Sequence, residues 1–330
     1  MITNRNVETD GLGQELDKLT YYTSDAGDLT RLKNWRQRPK KEFQDALIAA
    51  ADKFPEVPQE QNEAQKHVSF FIHGYNNSWI DAVKRYQQIV KDLYSGKSAL
   101  GLCVLFTWPS NGSQFGYLPD REDARASGPG LAGVLNDLYQ HAFLMQQKAA
   151  SGTGLCKAKV SIIAHSMGNW VLQNALQYTW EHQNKPLLTS LINQCLMVAA
   201  DVDNDLFAGG ETIGKGEGEG MANLCYRIAA LYSGRDSVLG MSSGLKHFGK
   251  RRLGRSGLDK ETTEPDNVWD LDCSKIFPPS EDNIHSAYFW TKGTQKIMRD
   301  ILQGYDRKII EAQAKKYLIP SFGKSRRERD

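Results

Sequence analysis

Val160-Ser161-Ile162-Ile163-Ala164-His165-Ser166-Met167-Gly168-Asn169-Trp170 is an apolar strand that runs without a spacer into a serine, with a glycine two residues later. A serine in so tight a strand-to-helix turn needs a strained backbone. The residues two before and two after it must then be small, or strand and helix collide. Ala164 and Gly168 meet that condition. The turn presents the Ser166 hydroxyl above the sheet, and the helix starting at about Met167 aims its first amides at the same point. This makes Met167 N–H available to a negatively charged oxygen. A capping serine between any strand and helix could carry the same four residues. The fully apolar strand before, and the helical stripe Val171, Leu172, Ala175 and Leu176 after, supply the context of a nucleophile elbow.

Outward from this turn, short apolar runs alternate with amphipathic stretches, the pattern of βαβ units and an α/β fold with a mostly parallel sheet and helices on both faces. Strands are expected at His67–Ile72, Gly101–Trp108, Lys157–Ala164, Leu191–Ala199, Cys225–Tyr232 and Val268–Ile276, several too apolar to expose either face. One helix should follow Ser78, with the stripe Trp79, Val83, Tyr86, Val90 and Leu93 and with Asp81 placed for a capping box. A second carries Leu131, Val134, Leu135, Leu138, Ala142 and Met145. Residues 1–66 stand outside this alternation, with one amphipathic segment from Lys41 to Lys53, and read as an N-terminal extension. The catalytic domain is expected over 67–305 and a basic C-terminal tail over 306–330. Gly209–Gly220, with six glycines, and Lys246–Lys260, with six Lys or Arg residues, read as mobile surface loops. No internal repeat is found.

An elbow of this kind needs a second oxyanion donor from the loop after an earlier strand. Phe70-Phe71-Ile72-His73-Gly74-Tyr75-Asn76-Asn77 supplies one: a strand, a His-Gly pair and a polar turn. Gly74 lets the backbone turn toward the serine, which assigns Tyr75 N–H as the partner of Met167 N–H. His73 ends a strand and precedes the elbow, so an orienting hydrogen bond suits it better than proton transfer.

These residues resemble the α/β-hydrolase superfamily. The set His73-Gly74-Tyr75-Asn76, Trp108-Pro109-Ser110-Asn111-Gly112, Ala164-His165-Ser166-Met167-Gly168 and His285-Ser286 is similar to the bacterial α/β-hydrolase family of unknown function, described as esterase- or lipase-like. The resemblance covers about residues 67–290. Ala164 stands where the wider superfamily has glycine, and is small enough to serve. The superfamily's order of nucleophile, acid, histidine directs the search downstream of Ser166. It implies Asp236, after the strand ending at Tyr232, as the acid, with Asp201 or Asp203 after the preceding strand as alternatives. After Asp236 only His247 and His285 remain. His247 sits in the basic glycine-rich loop, whereas His285 falls after the last strand, where the base is expected. His165 adjoins the nucleophile on a sharp turn, so its side chain diverges and packs beside the elbow. Trp79, Trp108, Phe115, Tyr117 and Trp170 lie near the loop ends as core or pocket-wall aromatics.

Ser166, Asp236 and His285 thus imply a serine hydrolase acting on a small-molecule carboxylic ester through an acyl-enzyme. The same groups would serve an amide or thioester, and a catalytically silent binding scaffold is the alternative of another class. No cofactor or metal is expected, because neither phosphate-binding glycine loops nor metal-spaced His, Cys and carboxylate clusters occur. The 330 residues carry 41 Lys plus Arg against 39 Asp plus Glu, so a net charge of +2 makes no case for nucleic acid as a partner. Apolar runs fall far short of the roughly 18 residues of a membrane span. The polar start and five dispersed cysteines suit a cytoplasmic protein with reduced thiols, of unassigned oligomeric state.

Overall fold

The computed structural model describes residues 1–110, 116–150, 158–183, 190–208, 217–246, 250–261 and 263–319. Asn111, Gly112, Phe115, Cys156, His247, most of the glycine-rich stretch and the end of the basic tail lie outside the described residues.

Six strands form at the expected positions: β4 (Lys66–Ile72), β5 (Gly101–Thr107), β6 (Ala158–His165), β7 (Ile192–Val198), β8 (Cys225–Tyr232) and β9 (Val268–Asp272). They belong to a nine-stranded sheet of order β3-β2-β1-β5-β4-β6-β7-β8-β9, with β5 through β9 parallel to their neighbours. Both faces of these strands are covered, because alternate side chains point to opposite sides. Phe70, Ile72, Ile162 and Ala164 enter one core cluster, with Leu131, Leu135, Val171 and Leu172 of helices α3 (Tyr117–Ala150) and α4 (Gly168–Gln183). Phe71 and Ile163 enter the other, with Val83 and Leu93 of α2 (Trp79–Leu93) and Ile297 and Ile301 of α9 (Lys292–Gln303). The Ser78–Asp81 capping box at the start of α2 is present in both directions. Between α4 and α9 lie α5 (Glu219–Leu224), α6 (Ser237–Lys246), α7 (Leu253–Ser256) and α8 (Ile284–Ala287), and α1 (Lys40–Ala51) precedes β4.

Residues before β4 do more than extend the domain. Strands β1 (Ile2–Glu8), β2 (Gly11–Thr23) and β3 (Arg36–Arg38) add to the same sheet, β1 pairing parallel to β5 through Ile2–Phe106 and Thr3–Thr107. An antiparallel hairpin needs no crossover helix, so the βα alternation could not register it. At the other end, the stretch expected as a tail opens with α10 (Arg307–Ala314), whose Ile310 and Ala314 are buried at i, i+4 spacing. The basic stretch read as a mobile loop is also packed where it is described. A Cβ on Gly254 of α7 would lie 2.2 Å from the Ala199 carbonyl carbon, and Arg252 is buried. Its charge is matched by carboxylates from the turn after β7, a match that composition does not reveal. No helix among the described residues is long and apolar enough to cross a membrane.

Candidate active site

Register brings the C-terminal ends of β4 and β6 side by side, Ile72 opposite Ala164, so the His73-Gly74 turn and the Ser166 turn leave the sheet together. Ser166 has φ +52°, the left-handed region that costs a non-glycine residue energy and persists only when surroundings enforce it. Here they do. Ser166 N–H donates to Val198 O at 3.0 Å, its carbonyl accepts from Asp201 N–H at 3.2 Å, and Asn169 Nδ2 clasps Ala164 O and Ser166 O at 3.0 Å each. A Cβ on Gly168 would stand 2.5 Å from His73 O and 2.6 Å from Ile72 O. Only glycine lets the helix begin that close to β4.

The residues of the His73–Asn77 turn, expected to supply the second oxyanion donor, meet the serine from the other side. A Cβ on Gly74 would lie 2.6 Å from Ser166 Cβ, so the 74–75 backbone runs against the serine. The Met167 amide donates no hydrogen bond among the described residues. His73 holds this loop in place. Its Nδ1 lies 2.9 Å from Gly74 O, an acceptor, so Nδ1 carries the proton. Nε2 then accepts from Trp108 N–H at 3.2 Å and Thr107 Oγ1 at 3.0 Å. The ring stacks on Trp108 at 5.2 Å and 4°. Burial, with Arg5 nearby, pushes the His73 pKa down to about 3, so it stays neutral and orients rather than transfers protons.

His285 Nδ1 is 2.7 Å from Asp236 Oδ2. The carboxylate can only accept, so Nδ1–H donates and Nε2 is left with its lone pair. Asp236 is fully buried at the start of α6, where its other oxygen accepts Leu239 N–H at 3.0 Å. It caps the helix and engages the imidazole at once. Arg255 donates to the Asp236 carbonyl. Arg235 spends its donors on Ser274 O, Phe277 O, Pro278 O and Pro279 O, tying down the segment that leads to His285. The alternative acids are engaged elsewhere. Asp201 sits 3.4 Å from Arg252 Nε and accepts from Tyr117 OH at 2.9 Å, and Asp203 pairs with Arg252 and with Lys250 at 3.1 Å.

Tyr75, Ser166 and His285 line one cleft of about 550 Å³. His165 shares its wall: Nε2 donates to His285 O at 2.9 Å, and its ring lies 4.9 Å from that of His285. Burial foremost, then His285 and Arg85, hold the His165 pKa well below the usual histidine value. Of the aromatics, Tyr117 reaches the cleft, whereas Trp79 and Trp108 are core residues and Trp170 lies partly buried against the core beneath Arg121. No group of three or more His, Cys, Asp or Glu residues placed to hold a metal occurs among the described residues.

Two buried or half-buried arginines at the site were not singled out from the sequence. Arg5 is buried under the turn that follows β4, where Nε donates to Thr107 Oγ1 at 3.0 Å, one terminal nitrogen to Gly13 O and the other to Asn77 O at 2.9 Å each. Burial lowers its pKa to about 10, against the opposing pull of Asp120 and Asp123. Nothing in a single charge within an N-terminal strand announces this. Arg85 of α2 was weakly legible: Ala82, Arg85 and Ile89 share a helix face beside the apolar stripe.

A family model described as "Alpha/beta hydrolase of unknown function (DUF900)" matches residues 51–292. The uncharacterized protein alr1448 of Nostoc sp. is 25% identical over 138 residues, 36% of this chain, and the match spans 33% of that relative's length. Among solved structures, Aspergillus fumigatus lipase B is similar at 15% identity and a TM-score of 0.42, over 80% of this chain and 61% of that one. The Pyrobaculum calidifontis esterase gives 10% identity and a TM-score of 0.31, over 77% and 76% of the two chains.

Proposed function

The chain belongs to the family of α/β hydrolases of unknown function (DUF900), and from that premise we propose that it is a serine hydrolase cleaving a small carboxylic ester through an acyl-enzyme. Ser166 is the nucleophile, His285 the general base and Asp236 the acid that orients it. The Tyr75 and Met167 amides bind the oxyanion. The observation that carries this reading is that His285, bonded through Nδ1 to buried Asp236, lines the same cleft as a serine held at positive φ.

In the reaction, His285 Nε2 takes the Ser166 proton as Oγ attacks the ester carbonyl. The tetrahedral oxyanion is met by the two amides. The imidazolium, stabilised by Asp236, protonates the departing alcohol. Water then repeats the sequence on the acyl-enzyme. It loses a proton to His285, adds to the acyl carbonyl and releases the acid with Ser166 restored.

A fluorophosphonate probe tests the assignment. Native protein is expected to be labelled and Ser166→Ala not. Unlabelled native protein would reject the hydrolase reading, and labelling that survives the substitution would reject Ser166. Turnover of an activated ester should fall by about 10⁴-fold in Asp236→Asn, the scale of a lost orienting carboxylate. Asp203→Asn should change it little. The reverse ranking would move the acid to the turn after β7.

A further inference from the structure

The proposed reaction leaves Arg85 unused, although this residue lines the cleft with Ser166, His165 and His285. Its guanidinium carbon lies 5.0 Å from the Phe289 ring centre and 5.1 Å from that of Trp290. Phe289 meets His165 edge-on at 5.1 Å, and the His165 ring is 4.9 Å from His285, so cation and imidazole share one wall. Aromatic contact engages the guanidinium through its π system. The five N–H donors remain for a partner.

That partner is missing from the protein. Among the described residues Arg85 forms no hydrogen bond and no ion pair. Burial lowers its pKa with no neighbouring carboxylate to offset the effect. Other arginines drawn into this fold have partners within the protein: Arg5, Arg227, Arg235 and Arg299 donate to carbonyls, and Arg252 is ion-paired with carboxylates, although its Nε and one terminal nitrogen make no hydrogen bond. Asp201, also at the cleft, is engaged by Arg252 and Tyr117. A partly desolvated cation that keeps its planar fork unspent is matched by a ligand bringing two acceptor oxygens. From α6, Val238, Leu239 and Met241 give the same cleft an apolar side, with Met241 63% exposed.

We propose that Arg85 is an anion subsite of this cleft, and that the ester substrate carries a carboxylate or phosphate group bound by its guanidinium, beside an apolar segment lying along α6. The inference rests on the ester-hydrolase reading above and names the substrate class within it.

Matched ester pairs test it. The acyl pair is 4-nitrophenyl pentanoate and 4-nitrophenyl hydrogen glutarate, in which a carboxylate replaces the terminal methyl. The alcohol pair is methyl 4-(butanoyloxy)benzoate and 4-(butanoyloxy)benzoate. 4-(Butanoyloxy)phenyl phosphate separates phosphate from carboxylate recognition. For each pair the ratio of kcat/KM, anionic over neutral, is compared between native enzyme and Arg85→Gln, which cancels the intrinsic reactivity of the esters.

The ratio is expected to fall by about tenfold or more in at least one pair, the scale of a charge-assisted hydrogen-bonded contact. Neutral esters, which bring no anion to Arg85, should lose less than their anionic partners. Arg85→Met, which keeps an unbranched side chain against Phe289 and Trp290, should reproduce the result if Arg85→Gln folds poorly. On native protein alone, the favoured ratio should shrink as salt rises. A ratio that neither variant nor salt changes in any pair would overturn the anion subsite. If native protein still takes the fluorophosphonate label in that case, the hydrolase reading survives. Without the label, that reading falls first.

Discussion

Around Ser166 the chain holds its shape through contacts within one strand-turn-helix and with the neighbouring strand ends, whereas the loops on either side rest on two buried arginines from distant segments. Gly168 lies against His73 O and Ile72 O, and Asn169 reaches back only to Ala164 and Ser166. Arg5 comes from the N-terminal hairpin to Asn77 and Thr107, and Arg252 from beyond α6 to Asp201 and Asp203. The first region is enforced by steric exclusion, which tolerates little change at a single position. The second is enforced by charge and hydrogen bonding, where removing one partner strands the others.

Four measurements would break or sharpen this contrast. Arg252→Met should have the largest effect on stability, about 3–5 kcal/mol, because it leaves Asp201 buried without its cation. Chemical denaturation checks this, and adding Asp201→Asn should recover part of the loss. Full additivity of the two substitutions would mean that the pair is not coupled. Gly168→Val comes next, at about 1–3 kcal/mol or more, since its side chain meets backbone oxygens that cannot rotate away. Its fluorophosphonate labelling should fall further than its stability, as the turn itself is deformed.

Arg5→Met should cost about 1–3 kcal/mol by stranding the Asn77 and Gly13 carbonyls. It should also lower kcat more than it raises KM, because the proposed oxyanion loop loses its support. An equal change in both would make Arg5 merely structural.

Near neutrality the smallest effect is in pH. His73 and His165 are held neutral when folded, with pKa values below the ordinary 6.5, so the unfolded chain binds more protons than the folded one under acid. Stability is therefore complete above pH 6.5 and falls as pH drops below it, toward about 3 for His73. Each histidine contributes up to about 1.4 kcal/mol per pH unit in that window. Denaturation midpoints at neutral and mildly acidic pH read the slope. A midpoint flat across that range would contradict the buried neutral state.

Much of this architecture was legible because its signals are local. The apolar runs of β4 through β9, the Ser78–Asp81 cap and the Ala164–Gly168 turn each announce themselves within about ten residues. At the candidate site, the same locality exposed Ser166 and the His73-Gly74 turn. His285 and Asp236 were reachable only through a chain order borrowed from resemblance, since the contact joining them spans 49 positions. Residues 246–260 illustrate the opposite case. Their glycines and charges have the composition of a solvated loop, yet Gly254 packs on Ala199 and Arg252 is inside.

Periodicity and turn sterics operate between neighbours, so the amino-acid order sufficed for strands β4 through β9, the main helices between them, their parallel pairing and the tight serine turn. Which charges are buried, and against what, depends on approaches between segments a hundred positions apart. Arg5 meets Thr107 across 102 residues, and His165 meets the His285 carbonyl across 120. Arg5 and Arg85 are the same residue type, one saturated with acceptors and the other bare in the cleft. That difference exists only after folding, because the free energy of a buried charge is set by its surroundings in space rather than by its neighbours in the chain.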